Sequence, residues 1–210
     1  MMNPLFEAKS NELFAQYNEV IKPLIAEIEA RSETMPQPLF NEIRAFTDHI
    51  ARCYFSGISD EKMKDELQKA SRHIVRITLD CFKCLNILLF KNVEIFERQT
   101  QNVDLKVLDN GEFYPKYKQL KREAADTVKQ AKLAESTDST QALQLYDTAY
   151  NKYVELENLL KACAEDVKWA RVHFTTKRIL KIVAWTVSVI VSGLLSLFIS
   201  CDLIRDLLVK

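Results

Sequence analysis

The sequence predicts an all-α protein: a cytoplasmic helical bundle with a long helical hairpin or coiled stalk that continues into one C-terminal transmembrane helix. Three observations carry that expectation. Only three glycines and five prolines interrupt 210 residues, well below average usage. Apolar residues recur at steps of three and four, without alternating β-branched runs. From Ile182 to Cys201 there are 20 residues without a charge, and a helix of that length spans roughly 30 Å, the hydrocarbon thickness of a bilayer.

Composition narrows the class further. With 48% hydrophobic and 28% charged residues, the chain has the apolar content to fold. Basic and acidic residues balance at 29 each, so composition gives no global pull toward nucleic acid or acidic substrates. Five cysteines, an odd number, and an opening stretch MMNPLFEAKSNELF without a basic segment and apolar run point to a reducing cytoplasm.

The elements follow in order. NPLFEAKSNELFAQYNEVIKPLIAEIEARSE opens with an Asn cap and a first-turn proline, then places Leu13, Tyr17, Val20, Leu24 and Ile28 on one face. This predicts a long amphipathic helix kinked at Pro23. After the break TMPQPLF, residues Leu39, Ile43, Phe46, Ile50 and Cys53 give a second helix its core face, and Gly57 and Ser59 end it and cap the next. From Met63 a heptad-like seam runs through Leu67, Ala70, Ile74, Ile77, Cys81, Cys84 and Leu88, in a helix extending to about Phe96.

QTQNVDLKVLDNGEFYP interrupts the periodicity with Asp109, Asn110 and Gly111, and the main boundary falls there. The expected segments are 1–108, an N-terminal bundle; 109–176, a helical hairpin and coiled stalk; and 177–210, a basic flank, a span at about 182–201 and a short tail. One arm of the hairpin carries Tyr117, Leu120, Ala124, Val128 and Ala131. Beyond the turn ESTDST, the other carries Tyr146, Ala149, Tyr153, Leu156, Leu160, Cys163, Val167, Ala170 and Phe174 in heptad steps. No proline or glycine intervenes before Gly193, which permits one unbroken helix from about Thr140 into the span.

Lys168, Arg171, Lys177, Arg178 and Lys181 precede the span, while Arg205 and Lys210 follow it among Asp202 and Asp206. The positive-inside bias then makes the N-terminal side cytoplasmic and the protein tail-anchored. Trp185 lies near one end, where an interfacial indole sits, and the basic flank also suits anionic headgroups at about 1 kcal/mol per residue. Inside the span, Ser188, Ser192, Ser196 and Ser200 recur every fourth residue, with Gly193 beside the second. Small residues at that spacing let helices pack closely in lipid, so the protein is expected to form homo-oligomers through this stripe. Two other readings stay open: hydroxyls bonded back to their own helix, and a serine-lined pore.

Residues with chemistry are few. CFKC, Cys81 to Cys84, has half a zinc-site spacing, but no second pair follows and both sulfurs lie on the heptad seam, so no metal or cofactor is expected. No Gly-rich phosphate loop, HExxH motif or nucleophile elbow is present. RAFTDH places Arg44 and His49 with four residues between them, which resembles the Arg-x(4–6)-His motif of the HEPN superfamily, helical bundles that include metal-independent ribonucleases. The resemblance covers residues 39 to about 98 and rests on those two positions. It implies a dimer cleft in which His49 assists proton transfer at a ribose 2′-hydroxyl and Arg44 meets the phosphate, with RNA as partner. Without the resemblance, Arg44 reads as an ion pair with Asp48, and His49 as a boundary residue beside Ile50.

The sequence therefore favours a non-enzymatic, self-associating interaction or sensor protein that couples a cytoplasmic binding event to membrane lipid, with an unspecified protein partner. The alternatives are a membrane effector that perturbs the bilayer and, through the resemblance, a membrane-tethered, metal-independent ribonuclease of a prokaryotic defence or toxin system.

Overall fold

A computed structural model describes residues 4–208, with side chains described at 6–173 and 179–196. Every regular element among the described residues is helical: α1 (Pro4–Gln16), α2 (Lys22–Ser32), α3 (Gln37–Arg52), α4 (Asp60–Gln99), α5 (Phe113–Ala134), α6 (Ser139–Ala162) and α7 (Ala164–Leu208). The contacts divide the chain into two units: residues 1–97 with 115–161, and residues 98–114 with 162–210.

In the first unit, a π-helical turn, Tyr17–Ile21, joins α1 to α2. Pro23 has no N–H to return to the preceding turn, and the backbone widens around it, Lys22 N–H reaching five residues back to the Tyr17 carbonyl. That widening shifts the apolar face by one residue. Val20, expected in the core, is 42% exposed, and Ile21 is buried in its place.

Helix α3 buries Leu39, Phe46, Ile50 and the following Cys53, as its spacing requires. The chain reverses through Gly57 in the left-handed region (φ 79°), and the Ser59 hydroxyl accepts the Lys62 N–H to cap α4. The α4 seam holds from Met63 to Cys81 and then departs from the expected heptad: Cys84 and Leu88 are half-buried, whereas Leu85, Leu89 and Val93 are buried. Each step of four residues turns the buried face by about 40°. The rotation has a cause in the neighbours. The first half of α4 meets α3 through His49 and Glu66, and the second half meets α6 through Asn86 and the Tyr146 carbonyl, and through Phe90 and Tyr153.

The α5–α6 pair, expected to stand apart as a stalk, belongs to this same unit. Its turn is capped by Asp138, whose carboxylate accepts the N–H groups of Thr140 and Gln141. Arg31 on α2 forms a two-pronged pair with Glu157 on α6 at 2.8 and 3.1 Å, and the Tyr150 hydroxyl donates to Glu27 at 2.6 Å. Tyr146 is buried in one core with Phe46, Ile77 and Leu85.

In the second unit, a 3-10 turn, Leu105–Gly111, packs against α7. Asp109, Asn110 and Gly111 are all left-handed (φ 47°, 51° and 94°), so the turn formers read in the sequence do turn the chain. Leu108 and Phe113 are buried here, as are Cys163, Val167 and Ala170. The unbroken helix expected from Thr140 is interrupted at Cys163. There the Cys163 carbonyl accepts the Val167 N–H, and Glu165 and Asp166 occupy the first turn of α7, where acidic groups favour a new N-terminus.

Candidate functional site

Two features stand out chemically, a polar cluster between α3 and α4 and the exposed apolar length of α7. The cluster is built from a spacing. Glu42 and His49 lie seven residues apart on α3, as Glu66 and His73 do on α4, so each pair shares one helix face two turns apart. Antiparallel packing crosses them: His49 Nδ1 meets Glu66 at 2.7 Å and His73 Nδ1 meets Glu42 at 2.7 Å. The two imidazoles stack between the carboxylates, with centroids 5.1 Å apart and planes inclined by 22°.

Glu66 is nearly wholly buried, and it also attracts Arg52 at 3.6 Å and Lys69 at 3.5 Å. The His49 hydrogen bond outweighs burial and holds the Glu66 carboxyl below its ordinary range. With each Nδ1 taken by a carboxylate, the arrangement fixes the orientation of both rings. The nearby Cys53 thiol is buried and directed at the His49 carbonyl, and burial pushes its pKa up, which suits packing rather than nucleophilic attack.

Arg44 is exposed, and among the described residues no hydrogen bond or ion pair joins it to His49 or to Asp48. His49 is therefore engaged by Glu66, not by Arg44. Glu42, Glu66 and His73 were missed as site residues in the sequence, although the repeated Glu-x6-His spacing was there to find. Among the described residues no cluster of three or more His, Cys, Asp or Glu is placed to hold a metal ion. Cys81 is fully buried, and burial lifts its thiol to about 12.

On α7, the 18 residues Ile179–Ser196 have a mean hydropathy of 2.0, with none of them buried. The window is long and apolar enough to cross a membrane, and it opens three residues earlier than the uncharged run, taking in Lys181. Trp185 is 68% exposed, and Ile182, Ile190 and Leu194 are more than half exposed. Ser188, Ser192, Gly193 and Ser196 are exposed on it, and nothing lies within 4 Å of a Cβ built at Gly193. Thr186 bonds its hydroxyl back to the Ile182 and Val183 carbonyls.

Among the basic residues before this segment, Lys168 pairs with Glu165 at 2.6 Å and Arg171 donates to the Gln99 carbonyl at 2.8 Å. Lys181 is exposed, whereas Lys177, Arg178 and Ser200 lie outside the described side chains. No family model, curated protein or solved structure matches this chain.

Proposed function

We propose that the protein is a single-pass membrane protein, anchored through α7, whose helical bundle lies in the cytoplasm and couples a binding event there to the bilayer. One observation carries the reading: Ile179–Ser196 is a helical stretch with a mean hydropathy of 2.0 and no buried residue. A soluble monomer rarely exposes an apolar patch beyond about 300–600 Å². Lipid removes that cost, and the helix satisfies its own backbone.

Orientation follows the basic residues that precede the span, and the protein associates with itself through Ser188, Ser192, Gly193, Ser196 and Ser200. Helix α7 runs without interruption from Ala164 into the apolar segment, so a shift at its start is carried into the membrane. No observation favours the ribonuclease alternative, because His49 is engaged by Glu66 and Arg44 stands apart from it.

The test is extraction of membranes from expressing cells at alkaline pH, followed by cross-linking. The full chain should stay in the pellet and cross-link to oligomers, and Ser192→Leu with Ser196→Leu should stay in the pellet while losing them. Release of the unaltered chain into the supernatant would end the membrane reading, and unchanged oligomers in the double variant would end the role of the stripe.

A further inference from the structure

The first unit contains a cleft of about 390 Å³ between α4, α5 and α6, independent of the membrane segment. That volume falls within the range of about 300–1,000 Å³ typical of small-molecule sites. Its walls are apolar, formed by Ile87, Phe90, Val128, Tyr146 and Tyr153, with Asn86 among them. At the rim, Lys83 pairs with Glu135 at 2.6 Å, and the Tyr146 hydroxyl donates to the same carboxylate, so these polar groups are already matched.

Asn86 is not matched. It is 3% exposed, and its Nδ2 donates to the carbonyls of Phe82 at 2.8 Å and Tyr146 at 3.0 Å. Those two acceptors fix the amide orientation, since a flip would set Oδ1 against two carbonyl oxygens. Oδ1 is thereby left as the buried side-chain polar atom without a hydrogen-bond partner among the described residues. A buried acceptor in that state is rare and costly.

We propose that this cleft binds a small, apolar, aromatic-sized molecule carrying one N–H or O–H group, and that the Asn86 side chain, whose Oδ1 is closed to solvent in this structure, shifts to let this group donate to Oδ1. The walls supply burial for the ring, and the orphaned acceptor supplies selectivity, because a ligand without the donor leaves Oδ1 unpaired.

The probe is indole, with 1-methylindole as the same shape lacking the donor. Each is titrated into the full chain in lipid nanodiscs, with the methyl signals of Ile87 and Val128 followed by NMR and Ile28 as a remote control. Indole should give saturable shifts at Ile87 and Val128 and bind about tenfold more tightly than 1-methylindole, as the loss of a buried hydrogen bond demands. Ala125→Phe, which adds a ring at an exposed position lining the cleft, should abolish the shifts while leaving Ile28 unmoved. Equal affinity for the two probes, binding that survives Ala125→Phe, or no saturable shift for indole would each overturn the proposal.

Discussion

At the scale of single residues, Arg31 and Glu157 join α2 to α6 at low exposure. Glu157 is pulled down from 4.5 to about 2 by the Arg31 hydrogen bond, against burial and with help from Lys161. A carboxylate depressed in the folded state stabilises above its unfolded value, and that contribution is lost as pH falls toward the folded one. The window is therefore pH 4.5 down to about 2, and the difference amounts to something on the order of 3 kcal/mol. Thermal unfolding of the full chain in nanodiscs should show Glu157→Gln well below wild type at pH 7, with the gap narrowing steadily from pH 5 to pH 2. A gap independent of pH would contradict the assignment. Glu66 carries the same sign through His49.

The Glu66 cluster also shows what the sequence holds at this scale. Both Glu-x6-His spacings are legible, but which glutamate meets which histidine depends on the antiparallel packing of α3 on α4. The sequence spacing pairs His49 with Arg44 on its own helix, whereas the partner it has, Glu66, lies on another helix. Asn86 is a sharper case, since nothing in CFKCLNILLF shows that both its N–H groups are taken and its oxygen is not.

At the scale of elements, periodicity located the helices and most of their buried faces, because burial alone imposes that spacing. It failed where the backbone or the neighbour changes. Pro23 was visible, yet the widening that accommodates it was not, and that widening exchanges Val20 for Ile21 in the core. The α4 seam turns where α6 replaces α3 as its partner, and a sequence pattern does not name the helix it packs against. Helix α7 starts afresh at Ala164, with no glycine or proline to mark the break. The register at the π-helical turn is directly measurable. Ile21→Ala should cost about 2–5 kcal/mol of stability, the range for truncating a buried aliphatic side chain. Val20→Ala, at an exposed position, should stay within about 0.5 kcal/mol. The opposite ranking in denaturation would restore the face expected from the unmodified helical period.

At the scale of the whole molecule, the apolar stretch was the plainest feature of the sequence, and the structure leaves it without a buried residue. A helix of a soluble bundle with this composition would be surrounded by other helices, and this one is not. The helical pair expected as a stalk instead shares a unit with α2 and α4, a grouping set by Arg31, Glu157, Tyr150 and Glu27 that no local pattern announces.

Trp185 gives the most direct test of the membrane reading, since it sits within the apolar window, and Trp169→Phe makes it the single indole of the chain. The full-length Trp169→Phe protein would be reconstituted into vesicles containing lipids brominated along the acyl chains. Insertion predicts blue-shifted Trp185 emission that brominated lipid quenches and aqueous iodide does not. Emission typical of water, quenched by iodide and indifferent to brominated lipid, would contradict it.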